Sequence, residues 1–199
     1  MDPDALIALI LAGLVLAGSP GPNTMSLAAA GAAFGAQRSF AYMIGLALGM
    51  LAVMVIVASG VVAMLLAVPG VAPVATIAAL LYFVYLAWKI AMAPPLATAD
   101  ADAKAPSLTD GLLLSLVNPK GYAAMLALFA SHTLIATSLV TDAALKIAVT
   151  MVIIVFVNVA WLYVGAALAR TFRSKRASRI INVTFAILLL ASAALLIPH

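Results

Sequence analysis

Ser19-Pro20-Gly21-Pro22-Asn23-Thr24-Met25 interrupts an apolar run from Ala5 to Phe34 that would otherwise be one membrane-crossing helix. Two prolines flanking a glycine break such a helix, because each proline removes a backbone donor and its ring clashes with the preceding turn. Hydrocarbon offers no water to the freed backbone groups. A broken span is therefore tolerated only where it is buried in protein or lines a wet cavity. The stretch predicts a binding site near mid-membrane.

Composition sets the class. Of 199 residues, 67% are hydrophobic and 8% charged, with mean hydropathy +1.26, where a soluble domain is roughly a quarter charged. Apolar runs of about 20 residues indicate helices rather than the alternating strands of a barrel. Cysteine is absent, which excludes a disulfide framework, a thiol nucleophile and a cysteine metal site. The net charge of +4 is not a nucleic-acid signal, because most basic residues fall in short loops. The start Met1-Asp2-Pro3-Asp4 is acidic where a signal peptide is basic.

Outward from the break, the first span runs from about Asp4 to Gly35 and the polar turn Gly35–Ser39 follows. The second span covers about Phe40 to Val68 and the third about Val74 to Met92. A polar linker, about Ala97 to Pro106, leads to Ser107-Leu108-Thr109-Asp110, a capping box with Asp in place of Glu. The fourth span opens there, is broken at Asn118-Pro119-Lys120-Gly121, and fades between Ser131 and Thr141. The fifth runs from about Asp142 to Ala169 and the sixth from about Ile180 to Ile197.

Six spans and two breaks suggest a repeat. Gly21-Pro22-Asn23 overlays Asn118-Pro119-Lys120, so each half has three spans and opens with a broken one. Three is odd, so the second half must be inverted, the architecture of many secondary transporters. The expected fold is an all-α membrane protein of six transmembrane helices in two inverted three-helix repeats. Helices 1 and 4 are broken at mid-membrane. Residues 1–199 form one transporter domain: repeat one about 1–95, linker about 96–106, repeat two about 107–199. Arg38, Lys89, Lys104, Arg170, Arg173, Lys175, Arg176 and Arg179 all fall in the first-second, third-fourth and fifth-sixth connections. The positive-inside rule makes these cytoplasmic and both termini external.

Pro20-Gly21-Pro22-Asn23 resembles a signature of the LysE/RhtB family of amino-acid exporters. So do Gly35-Ala36-Gln37-Arg38-Ser39 with Gly45-Leu46-Ala47-Leu48-Gly49, the stretch Leu81 to Lys89, and Leu116-Val117-Asn118-Pro119-Lys120. The similarity runs in order along nearly the whole chain. It implies a six-span bacterial inner-membrane protein that exports amino acids or their relatives. Many relatives carry Asp where Asn23 stands and an acid near Asn158. Without those carboxylates, cationic cargo and simple carboxylate proton coupling are not expected.

The expected cargo site lies between the two breaks, at Pro20, Gly21, Pro22, Asn23, Thr24, Asn118, Pro119 and Lys120. Half-helix N-termini there suit a carboxylate, and free carbonyls at the preceding helix ends suit an ammonium. Asn118-Pro119 also fits a plain N-cap with proline at the first helical position. Lys120 either anchors the cargo carboxylate, or snorkels or bonds carbonyls freed by Pro119. Asn158 and Trp161 share a face one turn apart; they line the cavity or hold helices together. Gly31–Gly35 and Gly45–Gly49 have GxxxG spacing, which means close packing within the chain or, with weaker support, a homodimer face. There is no Glu, and the six acids, Asp2, Asp4, Asp100, Asp102, Asp110 and Asp142, fall at span ends or in the linker. No buried carboxylate is therefore expected. The partners implied are a small amino acid and the lipid bilayer, with no nucleic acid and no cofactor. The rivals are a metal-cation exporter, an intramembrane enzyme and a membrane scaffold. Clustered ligands for a metal and a nucleophile–base pair are both missing from the sequence.

Overall fold

The computed structural model describes residues 1–60, 68–70 and 105–171 throughout, and scattered positions of 73–88 and 176–190. Most of the third and sixth spans and most of the linker lie outside the described residues, as do Tyr82, which the sequence leaves either reaching the gap or packing at the interface, and His199, for which the sequence offers no acidic partner for a metal. So does most of the basic turn after residue 171. The described part is all helix: α1 (Pro3–Gly18), α2 (Pro22–Arg38), α3 (Phe40–Ala58), α4 (Leu108–Leu116), α5 (Pro119–Ser131) and α6 (Leu139–Thr171).

Each start follows from local chemistry. Asp2 caps α1, its Oδ1 accepting from the amides of Asp4 and Ala5, with Pro3 in the first turn. Ser107 and Asp110 form the capping box of α4, reciprocally bonding each other's backbone amides. Asn118 caps α5 by accepting from the Lys120 amide, and Pro119 occupies the first turn, where its missing donor costs nothing. The α1–α2 pair bends by 58° at its break and the α4–α5 pair by 60°.

Two boundaries differ from expectation. α3 closes at Ala58, where Gly60 turns into the left-handed region at φ 77°, and residues 61–67 of the expected second span lie outside the described residues. α6 begins at Leu139 rather than Asp142, because the Asp142 amide already bonds the Ser138 carbonyl.

The packing is inside out relative to a soluble protein. Ser115 and Thr150 are fully buried, while Val15, Val152 and Phe156 are each about two-thirds exposed or more. Such an apolar exterior suits lipid. α3 and α6 are each long and apolar enough to cross a membrane, and each bent pair would make one more span.

Glycines allow the backbones to touch. A Cβ at Gly49 would lie 2.6 Å from Ser115 Cβ, and one at Gly45 would strike the Leu108 carbonyl of α4. The Gly45–Gly49 face is thus filled within the chain by α4. Gly31 and Ala28 of α2 meet Leu162 and Gly165 of α6 in reverse order, so α2 runs against α6 where they touch. The order of contacts fixes direction. Gly13 meets Ile153 and Gly18 accepts from Trp161, so α1 and α6 run parallel. Gly45 meets Leu108 and Gly49 meets Ser115, so α3 and α4 also run parallel.

The expectation of no buried carboxylate is corrected. Asp142 is buried and pairs with Lys146 one turn on, Oδ2 to Nζ at 2.6 Å. Its Oδ1 accepts from the amides of Leu134 (2.6 Å) and Ile135 (2.8 Å), and Lys146 Nζ also donates to the Phe129 carbonyl. The pair closes the α5–α6 elbow, to which the N-terminus is tied by Asp2 N–H bonding Leu134 O. Its position at a helix start matches the sequence; its enclosure comes from the folded elbow.

Candidate functional site

The two breaks face each other. Asn118 Nδ2 donates to Asn23 Oδ1 at 2.9 Å, Asn23 Nδ2 donates to Ser115 Oγ at 2.8 Å, and Ser115 Oγ donates to the Leu46 carbonyl at 2.8 Å. This chain of hydrogen bonds joins α2, α4, α5 and α3. Thr24 completes the first break by accepting from the Gly21 amide at 2.9 Å, satisfying one orphan donor at the start of α2.

Lys120 crosses from the second break to the first. Its Nζ donates to Ser19 O, Ser19 Oγ and Pro20 O, all at 2.8 Å. The ammonium therefore sits at the carbonyl end of α1, where the helix dipole is negative. Gly21 makes room for it: a Cβ there would lie 2.7 Å from Lys120 Cδ. The carbonyls so held belong to the first break, not to Pro119. Gly18, the last residue of α1, is also capped, by the Trp161 indole N–H at 3.2 Å.

A cavity of about 50 Å³, the space open to the centre of a water-sized sphere, lies between the breaks and α6. That is room for several waters. Gly21, Pro22, Asn23, Thr24, Asn118, Lys120 and Asn158 line it, with Ser19 beside them. Pro20 and Pro119 are not in its lining, nor is Trp161, whose indole acts on the α1 end instead. The remaining wall is mostly apolar, with Met50, Met125, Ile154 and Val157 prominent. No acid lines the cavity among the described residues. Asn158 is buried, and its Nδ2 has no partner among the described residues.

Sequence reasoning missed Ser115 and Ser19. Ser115 precedes Asn118 by three residues, and that spacing was its only signal. Ser19 was visible at the break, but its partner Lys120 is 101 residues away. Among the described residues no group of three or more potential metal ligands occurs. His132 bonds the Leu128 carbonyl through Nδ1.

Residues 14–198 match the family model for LysE type translocators. The chain belongs to this family. The translocator is 30% identical over 197 residues to a cysteine/O-acetylserine efflux protein of Escherichia coli O139:H28 (strain E24377A / ETEC), with 97% of each chain covered. The figures are the same for the protein of that description in Escherichia coli strain K12. In Salmonella typhimurium strain LT2 a third such protein is 28% identical over 194 residues, again covering 97% of each. No solved structure matches the translocator. It is a membrane transport protein and not an enzyme.

Proposed function

We propose that this translocator exports small neutral amino acids or their derivatives from the cytoplasm, with the zwitterion held between the broken ends of helices 1 and 4. The observation that carries this reading is the charge of the cavity wall. One lysine ammonium lies beside it, and no carboxylate lines it among the described residues. A cargo carboxylate would supply the missing counter-charge, whereas a second cation would be repelled. In the loaded state the carboxylate takes over part of the Lys120 ammonium from the Ser19 and Pro20 carbonyls. Those carbonyls are then free to accept from the cargo ammonium. The curated relatives are named for efflux of cysteine and O-acetylserine, both of which are zwitterions without net charge near neutral pH.

The bent pairs α1–α2 and α4–α5 are read as single spans broken at mid-membrane, and the two halves as inverted repeats. The parallel runs of α1 with α6 and of α3 with α4 support the inverted repeat, since inversion exchanges the first span with the fourth and the second with the fifth. The basic connections then face the cytoplasm of a bacterial inner membrane and both termini face out. A reporter fused after Pro198 should be active only on the outer side; activity on the cytoplasmic side would remove the inverted arrangement.

The direct test is efflux. Proteoliposomes loaded with labelled neutral, cationic or acidic amino acids should release the small neutral ones selectively. Release should follow the cargo's own gradient and change little when a pH gradient is imposed at zero potential. Preferred release of lysine or arginine would overturn the charge argument.

A further inference from the structure

Two side-chain atoms are sealed from solvent without a partner among the described residues, Thr150 Oγ1 and Asn158 Nδ2. Both belong to α6. A threonine hydroxyl in a helix can turn onto the carbonyl four residues back, so Thr150 has a remedy in its own helix. Asn158 lies at the cavity wall with Ile154, Val157 and Met50, whose only side-chain acceptor is the weak thioether sulfur of Met50. The polar break residues are already bonded to one another, Asn23 to Asn118 and Lys120 to Ser19 and Pro20. Asn158 is 4% exposed. A donor left unmade at that depth is costly, and folded proteins retain few without a use.

We propose that Asn158 selects the cargo's side chain by donating from Nδ2 to an oxygen carried on it. The favoured cargo is then an amino acid with a carbonyl on its side chain, an acyl ester or an amide, rather than an alkyl chain. The proposal rests on the efflux reading above, with the cargo's α-carboxylate at Lys120. The terminal torsion of asparagine is broad, so a turn of the amide brings Nδ2 into the cavity that the side chain already lines. A thiol is a weak acceptor and an alkyl group none, so such cargo leaves the donor unmade.

The test uses proteoliposomes loaded with O-acetylserine or with norleucine, which has the same in-line chain length without the ester oxygens. At equal low concentration, the wild-type protein is expected to release O-acetylserine at least about tenfold faster. Asn158→Leu keeps the volume and removes the donor, and is expected to bring the ratio of the two rates to about one. Equal rates for the two cargoes in the wild type would overturn the proposal, and that comparison needs no variant to fold. A variant that slows both cargoes by the same factor would overturn it too, placing Asn158 at the shared zwitterion or in packing. If alanine is released but neither test cargo is, efflux stands and the selector falls. If no amino acid is released, the efflux reading fails and takes the selector with it.

Discussion

Lys120 and Lys146 each lie near the start of a helix and each reach backbone carbonyls, but among the described residues only Lys146 has a carboxylate. Asp142 sits one turn before it, held by two amides of the α5–α6 elbow, so the charges cancel within a few ångströms. Lys120 finds two carbonyls and a hydroxyl at the end of α1. Those groups satisfy its donors without cancelling its charge. Lys146 closes a structural joint, while Lys120 leaves a net positive charge beside the cavity. A paired charge stabilises the elbow, and an unpaired one at a cavity is available to an anion.

The sharpest way to break this comparison is Lys120→Met. Transport of neutral amino acids is expected to fall by about a hundredfold or more while the protein still inserts and purifies, since an ammonium–carboxylate contact out of water is worth several kcal/mol. Lys120→Arg should restore only part of it, because a planar fork cannot reproduce three converging bonds. Wild-type efflux from the Met variant would make Lys120 as structural as Lys146.

Asp142→Asn tests the other side. It leaves Lys146 buried without its counter-charge, and a loss of roughly 3–5 kcal/mol is expected, read as a lower unfolding temperature in detergent. Combining it with Lys146→Met should be milder than Asp142→Asn alone, because no bare charge is left buried. A double variant as damaged as the sum of the two singles would show that the ion pair is not the unit.

Gly21→Ala sharpens the picture of Lys120. Its Cβ would crowd the lysine stem at 2.7 Å, forcing the flexible side chain off the α1 end. A cost of about 1–3 kcal/mol is expected, with transport reduced more than expression. An unchanged efflux rate would mean that Lys120 need not pass so close. The smallest effect belongs to Trp161→Phe, which removes only the indole bond to the Gly18 carbonyl. A loss near 1 kcal/mol is expected in thermal unfolding, with cargo preference unaltered, since Trp161 does not line the cavity. A changed preference would bring Trp161 back to the site.

Much of the fold was legible because its causes are local. Prolines at positions 20, 22 and 119 break helices wherever the chain goes. The caps at Ser107 and Asn118 need only a few consecutive residues. The boundary of α3 was less legible, since an apolar stretch carries no stop signal of its own and Gly60 decides where the helix turns. Lys120 was legible as a costly cation, but its choice between cargo and carbonyl was not, because its acceptors lie 100 and 101 residues away. The Asp142–Lys146 spacing was present in the sequence. Its burial was not, because nothing local says that residues 134 and 135 fold back over it.

The sequence by itself determined that this is a helical membrane protein whose helices break at Pro20–Pro22 and at Asn118–Pro119, because hydropathy, proline and capping act over a few neighbouring residues. Only the tertiary structure decided that Asn23 meets Asn118 across 95 residues. It also decided that Gly45 and Gly49 face α4, and that Asn158 stands at the cavity with its Nδ2 unpartnered among the described residues. Those outcomes depend on which helix faces touch, and small residues at positions 31, 45, 49, 111 and 165 permit that contact without naming the partner.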